Sequence, residues 1–330
     1  MSEFAFELEL CARLEERQEG VVARQLGASV ADPGGRILDV VCVEPGPEFD
    51  DRVAITGESI PDAAIDADVG TGRARYWKDA FDCHPDHARR VTERACEIGF
   101  FERERHKSRE YVRQVARYPD WYGRIVGIEN KPDLGRPGDL EAQLRTDASL
   151  ALVDEVVLAT ESYVTRAHLN RIPDAVGVWR VHRPTDPTDA DAAPEIEVVR
   201  EPTQLSVDDP GIEPREFHPG RTDVAVVDRD AKARARRRLA ERAYGKGWRT
   251  YAFPDCEACR PADGTGATLP YCEWKERVVD AGSECGPSCP GYDPDSEADV
   301  DLEAERARRT AWVADPAGTR RRQSGLDQFR

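Results

Sequence analysis

The stretch GRIVGIENK at 123–131 decides how this chain folds. It ends the apolar run Ile125-Val126-Gly127-Ile128 with Glu129 and Lys131, two positions apart. On an extended strand, side chains repeat on one face every second residue, so the carboxylate and the ammonium are expected to share one pocket with Ile125 behind them. Pro132 cannot donate to a ladder and is expected to end the strand just past the pair. A solvated ion pair at a strand end would have the same spacing. Two features favour a functional pair. The run ahead of it reads as a buried strand, and only six of the 47 basic residues are lysine, so a compact point charge stands out against the arginine habit of the chain.

A second acid is expected on a neighbouring strand, RILDVVCV at 36–43. Alternation puts Ile37, Asp39, Val41 and Val43 on one face and Leu38, Val40 and Cys42 on the other, between a Gly34-Gly35 turn and the Glu44-Pro45-Gly46-Pro47 break. Asp39 is costly in an apolar strand unless something positive meets it. Upstream, residues 3–16 read as an amphipathic helix with Phe4, Leu8, Cys11 and Leu14 spaced by three and four, and Glu7 lies on that stripe. Downstream come a helix, DLEAQLRTDASLAL (139–152), carrying Gln143, and a further strand, EVVLAT (155–160).

The order helix with Glu7, strand with Asp39, strand with Glu129 and Lys131, helix, strand resembles the PD-(D/E)XK nuclease superfamily. The resemblance implies an α/β fold with a mixed central sheet flanked by helices and a site where the central strands diverge. Carried over by position, Asp39, Glu129 and Lys131 match the motif, Glu7 matches the accessory acid of the first helix, and Gln143 sits where many members keep a polar residue. Asp39, Glu129 and the carbonyl of Asn130 would then hold Mg2+ or Mn2+, and Lys131 would serve the attacking water. The match covers roughly 1–45 and 123–182. Asp39 is followed by valine rather than by a proline-flanked motif, and the 90-residue interval to Glu129 demands an inserted module.

Within that interval, 73–81 reads as a short helix, 82–99 as another with Pro85 in its first turn, and FFERERHKSREYVRQV as two strands around His106-Lys107-Ser108. Helix, helix and hairpin resemble a winged-helix unit. From Arg73 to Arg113 there are 11 basic and 8 acidic residues, and Arg89, Arg90, Arg94, Arg105, Lys107 and Arg109 are its candidate phosphate contacts.

Nine cysteines without a secretory leader argue for thiols or metal rather than disulfides. Cys11, Cys42, Cys83 and Cys96 are scattered and read as small buried apolar residues. Five cluster: Cys256, Cys259, Cys272, Cys285 and Cys289. Zinc on Cys256, Cys259, Cys285 and Cys289 is the leading form, and Cys272 keeps open a [4Fe-4S] cluster, which some nucleases resembling the superfamily carry. The helix expected at 229–244 opens a basic run, Lys232 to Arg249, in which Arg236, Arg237 and Arg238 are candidate contacts to a DNA backbone. At the C-terminus, Gln323, Leu326 and Phe329 fall at i, i+3 and i+6 and resemble the PCNA-interacting peptide, with Arg330 replacing the usual second aromatic.

Composition sets the frame. The formal net charge is −17 with 34% charged residues, a pattern like that of salt-loving microbes, in which net charge reports the solvent rather than the partner. With no leader and no apolar run of membrane-spanning length, an intracellular, cytoplasmic protein is expected. Six segments follow: a nuclease core in two parts (1–59 and 123–183), a winged-helix-like insertion (60–122), a linker with short strands (184–222), a basic helix with the Cys-rich segment (223–295), and a tail (296–330). The rivals are a non-catalytic DNA-binding or regulatory module with a zinc-ribbon-like segment, and a sliding-clamp-tethered adaptor.

Overall fold

A computed structural model describes residues 2–17, 20–32, 34–182, 195–262, 267–294 and 300–309. The chain opens with α1 (Glu3–Arg17), then β1 (Val21–Gly27) and β2 (Ile37–Pro45). Next come the short helices α2 (Phe49–Val53) and α3 (Asp62–Ile65), β3 (Arg75–Tyr76), a 3-10 turn (Trp77–Asp79), α4 (Pro85–Glu97), β4 (Phe101–His106) and β5 (Arg109–Gln114). The chain then returns through β6 (Tyr122–Asn130), α5 (Leu140–Leu150), β7 (Glu155–Thr160), α6 (Arg166–Leu169), β8 (Gly177–His182) and β9 (Glu195–Arg200). A hairpin, β10 (Gly211–His218) and β11 (Arg221–Val227), leads to α7 (Arg229–Lys246). Last are β12 (Cys259–Ala262), β13 (Leu269–Cys272), β14 (Arg277–Val278), α8 (Ala281–Glu284) and α9 (Leu302–Arg309).

Six strands form one mixed sheet in the order β1-β2-β6-β7-β8-β9. β1, β2 and β6 run antiparallel in turn, β7 and β8 continue parallel to β6, and β9 closes antiparallel. The parallel pairs need crossovers, which α5 and α6 supply. Both faces are covered. One packs Leu140, Leu144 and Leu150 of α5 and Leu239, Ala240, Ala243 and Tyr244 of α7; the other packs Phe6, Leu8, Leu10, Cys11 and Leu14 of α1 with Trp248. Strands buried on both faces read as continuous apolar runs, as in VVCV and IVGI. Hence α1 is buried over most of its surface, well beyond the narrow stripe its spacing predicted.

The insertion between β2 and β6 has its own core, with Val91 and Ala95 of α4 against Phe100, Phe101 and Val112. Its small sheet has the order β3-β5-β4. Residues 73–81 are not a helix: Arg75 and Tyr76 pair with β5 and a single 3-10 turn follows. The edge of the β4–β5 hairpin draws this segment into strand pairing. α4 starts at Pro85, capped by His84 accepting from the Asp86 N–H, and the turn after it uses Gly99 at φ +80°. The insertion is fastened to α7 by Arg52, fully buried, which donates to Glu241 at 2.8 and 2.7 Å and to the carbonyls of Thr56 and Glu58.

Strict alternation fails in β2. Leu38 packs with Val41 and Val43 on the α5 side, while Val40 and Cys42 face α1. The break falls opposite Gln25, which stands at φ 54° in β1 and interrupts the pleat between Arg24 and Leu26. Strands β1, β8 and β10, and the three of the Cys-rich segment, β12, β13 and β14, stand where no strand is expected from sequence. The Gln323, Leu326 and Phe329 peptide lies outside the described residues, as does most of the 184–195 linker.

Candidate functional site

The β2–β6 ladder pairs Val41 with Gly127 and Val40 with Ile128, and Asp39 and Glu129 lie just past this last pair, close enough for the Asp39 charge to act on Glu129. At this end of the ladder the Asp39 carboxylate takes the place of a backbone acceptor: Asn130 N–H donates to its Oδ2 at 2.9 Å. Its other oxygen accepts from Gln25 Nε2 at 3.3 Å, and the same amide donates to Glu7 Oε2 at 2.8 Å. Gln25 thus joins the helix acid to the strand acid. Glu7 also accepts from Arg24 Nε, and the Arg24 guanidinium lies over the Phe4 ring.

Glu129 is buried and pairs with Arg36, whose Nη2 donates to its Oε2 at 2.6 Å. The Arg36 guanidinium also grips Asp147 of α5 through Nε and Nη2, at 2.8 and 2.6 Å. Lys131 goes the other way: its Nζ donates to Glu3 Oε1 of α1 at 2.6 Å. One pocket for Glu129 and Lys131 is therefore not what the structure holds. β6 ends at Asn130, Lys131 sits past the pleat before Pro132, and its long flexible stem crosses to α1. Gln143, half-buried on α5, lines a cavity of about 170 Å³ with Arg36, Thr146, Arg215 and Phe217, whose walls include neither Asp39 nor Glu129.

The electrostatics of the cluster are those of acids held short of charge. Burial raises the Glu129 pKa to about 7, with the Asp39 charge adding to the rise and Arg36 opposing it. Burial likewise raises Glu7 against Arg24, Asp39 against the Asn130 N–H and Arg36, and Asp147 against Arg36. Desolvation and mutual repulsion outweigh the arginines, a pattern that a bound cation would relieve. Asn130 supplies one more donor atom. Its Nδ2 donates to the Glu3 carbonyl at 3.0 Å while its Oδ1 is buried with no hydrogen-bond partner. Carboxylates and an amide oxygen are the donor set of a hard divalent ion such as Mg2+ or Mn2+. In the present arrangement they are not drawn into a shell. Among the described residues the only trio of His, Cys, Asp or Glu with ligand atoms all within 4.8 Å of one another is Glu216, His218 and Asp223, near the β10–β11 turn.

Arg36, Asp147 and Gln25 were not singled out from sequence. Asp147 had a signal: it lies on the same helical stripe as Leu144 and Leu150, where an acid must be paired.

The candidate DNA contacts divide. Arg89 and Arg94 are exposed on α4 in surface pairs with Asp86 and with Glu58 and Glu97. Arg90, Arg105, Lys107 and Arg109 are exposed, the last over the Tyr76 ring. In α7 part of the basic run is spent on the fold: Arg236 binds Asp154 and the Leu152 carbonyl, Arg237 binds Asp62 and Asp66, and Lys232 is buried against the Leu150 and Ser206 carbonyls. Of the three candidates only Arg238, its side chain 41% exposed and 3.5 Å from Asp62, keeps a free flank for phosphate, whereas Arg229, Arg234 and Arg242 of the same helix are exposed. The reason is that α7 packs on the sheet and the insertion, so Arg236, Arg237 and Arg238, on its packed side, meet acids, while Arg229, Arg234 and Arg242 face solvent.

The clustered thiols come together, and no disulfide forms. Cys256, Cys259 and Cys272 make the core of the C-terminal segment with Val279, and Cys285 packs against them. Burial, with the neighbouring thiols, pushes Cys259 up to about 12. Of the scattered cysteines, Cys11 and Cys42 are buried, Cys96 is half-buried and Cys83 is exposed. Among the described residues no helix is long and apolar enough to cross a membrane.

No curated protein and no solved structure matches the chain. A family model matches residues 21–294, a span that takes in Asp39, Glu129, Lys131 and all five clustered cysteines but leaves out Glu7. The chain belongs to that family, a family of unknown function (DUF5787).

Proposed function

We propose that this protein is a divalent-metal-dependent nuclease that cleaves DNA phosphodiester bonds in repair or processing. The observation that carries the reading is the placement of Asp39 and Glu129 together at the end of the β2–β6 ladder, near enough to interact electrostatically, with Glu7 tied to Asp39 through Gln25. The element order supports it as well: α1, the antiparallel pair β2 and β6, then α5 and the parallel β7 follow the succession that the PD-(D/E)XK resemblance implies, with β1 added at the sheet edge. Asp39, Glu129 and the amide oxygen of Asn130 would hold Mg2+ or Mn2+, with Glu7 behind them. Bound there, the ion would acidify a water and offset the charge growing on the phosphate.

The rest of the work falls to the chain. Burial of the acids keeps competing water out. Arg36, held by Asp147 in a two-pronged grip, orients Glu129 through its Nη2. Lys131 is the compact cation at the ladder end, and its present partner Glu3 has a side chain 59% exposed, so substrate phosphate can displace it. The insertion, with the exposed cations of α4 and the β4–β5 hairpin, is the surface for duplex backbone.

The test is incubation of the protein with labelled single-stranded, duplex and flap DNA, with Mg2+ or Mn2+ or in EDTA, at high salt. Metal-dependent cleavage that falls at least about 100-fold in Glu129→Ala and in Lys131→Ala is expected. Cleavage persisting in both variants would remove them from the chemistry. One observation favours a second reading, a DNA-binding module without catalysis: Arg36 already neutralises Glu129 and Asp147 as a buried triad. That module would hold DNA equally well in EDTA and never cut it.

A further inference from the structure

The C-terminal segment has a core made of thiols. Cys259 and Cys272 are cross-strand partners in the β12–β13 pair, Cys256 lies one turn before β12, and Cys285 follows α8. All but Cys285 are about 5% exposed, and Val279 is the one other fully buried side chain in the cluster. Three short strands around so little apolar surface do not hold themselves together.

The geometry points to a structural zinc site formed by Cys256, Cys259, Cys272 and Cys285, with Cys289 outside it. This replaces Cys289 in the expected ligand set by Cys272, because the register of β12 and β13 sets Cys272 beside Cys259 and Cys285 packs on the buried trio of Cys256, Cys259 and Cys272, a cluster that does not include Cys289. Four thiolates at tetrahedral corners match zinc. The sulfurs do not yet form a shell, and each has one rotatable bond with which to close on the ion.

Two features around the thiols fit a bound metal. Sulfur Sγ of Cys256 accepts the backbone N–H of Asp293 at 3.5 Å, the kind of contact that orients a metal-bound thiolate. The segment carrying Cys285 is held in place by Glu284, which accepts from Lys275 at 3.1 Å, from Arg277 at 3.0 Å and from the Asp280 N–H at 3.2 Å. Those two cations stand close enough to act on the thiols: Lys275 on Cys285, and Arg277 on Cys272 and Cys285. Binding releases four protons, Zn2+ plus four thiols giving a tetrathiolate of charge −2, which Lys275 and Arg277 partly balance.

The ion has a place in the whole molecule. Leu269 and Val278 of this segment pack in the core cluster of α1, the helix that carries Glu7. Zinc at the thiols would thus hold the outer wall of α1.

The experiment is metal analysis of the purified full chain with and without thiol alkylation mapped by mass spectrometry. One zinc per chain is expected. In the zinc-loaded protein Cys289 and Cys83 alkylate readily while Cys256, Cys259, Cys272 and Cys285 are protected, and removal of zinc by a chelator exposes those four. Cys289→Ser is expected to keep one zinc per chain and Cys272→Ser to fall below about a tenth of that. Where a Cys→Ser variant does not fold, the footprint of the wild-type protein and the charge-transfer bands of its cobalt-substituted form still read the ligand set. The inference is overturned by zinc-free protein, by a visible iron–sulfur absorption with iron in place of zinc, or by Cys289 protected while Cys272 alkylates. None of these results depends on DNA cleavage.

Discussion

At the scale of single residues, the site is governed by how much water its acids lose. Glu129 has an unfolded value near 4.5 and a folded value near 7, and Glu7, Asp39 and Asp147 are raised in the same direction. Between the unfolded and folded values the native chain binds more protons than the unfolded one, so stability contributed by these groups falls as pH rises. In EDTA the urea midpoint is therefore expected to be lower at pH 7.5 than at pH 5.5. Glu129→Gln should flatten that slope, and millimolar Mg2+ should stabilise the wild type more at pH 7.5 than at pH 5.5, since the ion binds the ionised acids. Equal slopes in wild type and Glu129→Gln, measured by urea titration, would show that this carboxyl does not titrate across the window. Lys131, at the end of β6, is an easier residue to read from sequence than to place. Its scarcity marks it as unusual, while its partner depends on where α1 ends up.

At the scale of elements, the joints are buried ion pairs between parts remote in sequence. Arg52 of α2 and Glu241 of α7 are both almost wholly buried, and Glu241 also accepts from the Tyr118 hydroxyl, the Trp121 indole and the Ile60 N–H. Removing one partner strands the other, and Arg52→Met is expected to cost about 3–5 kcal/mol in chemical denaturation. Arg52→Met with Glu241→Leu should recover much of it, because no charge is then left uncompensated. A loss below about 1 kcal/mol for Arg52→Met would mean that water reaches Glu241. α7 also shows where sequence reading stops. Its boundaries are plain from Asp228, which caps the helix by accepting from Ala231 N–H, and from Gly247 past its end. Its cations, however, look solvated in sequence, and only the packed structure assigns Arg236 and Arg237 to Asp154, Asp62 and Asp66.

At the scale of the whole molecule, a net charge of −17 is a standing repulsion that salt screens. The thermal midpoint is expected to rise as KCl goes from 0.1 to 2 M. Each kcal/mol of relieved repulsion is worth about 2–4 °C in a domain of 150–250 residues. A midpoint that falls with KCl would show that the buried pairs, not the surface field, dominate the response.

The α/β class, the mixed sheet, α1, β2, β6, α5 and β7 were legible in the sequence, because period and breakers act locally: GRIVGIENKP can be little but a buried strand that stops. Asp39 and Glu129 were legible as a pair because charged groups in apolar strands are expensive and few. What only the tertiary structure decided is the company they keep. Arg36 on Glu129, Gln25 between Glu7 and Asp39, Cys272 beside Cys259 and the turn of Lys131 toward Glu3 all follow from register and layer packing. These bring together groups from 14 to 128 residues apart in the acid cluster, and no local periodicity encodes such a distance.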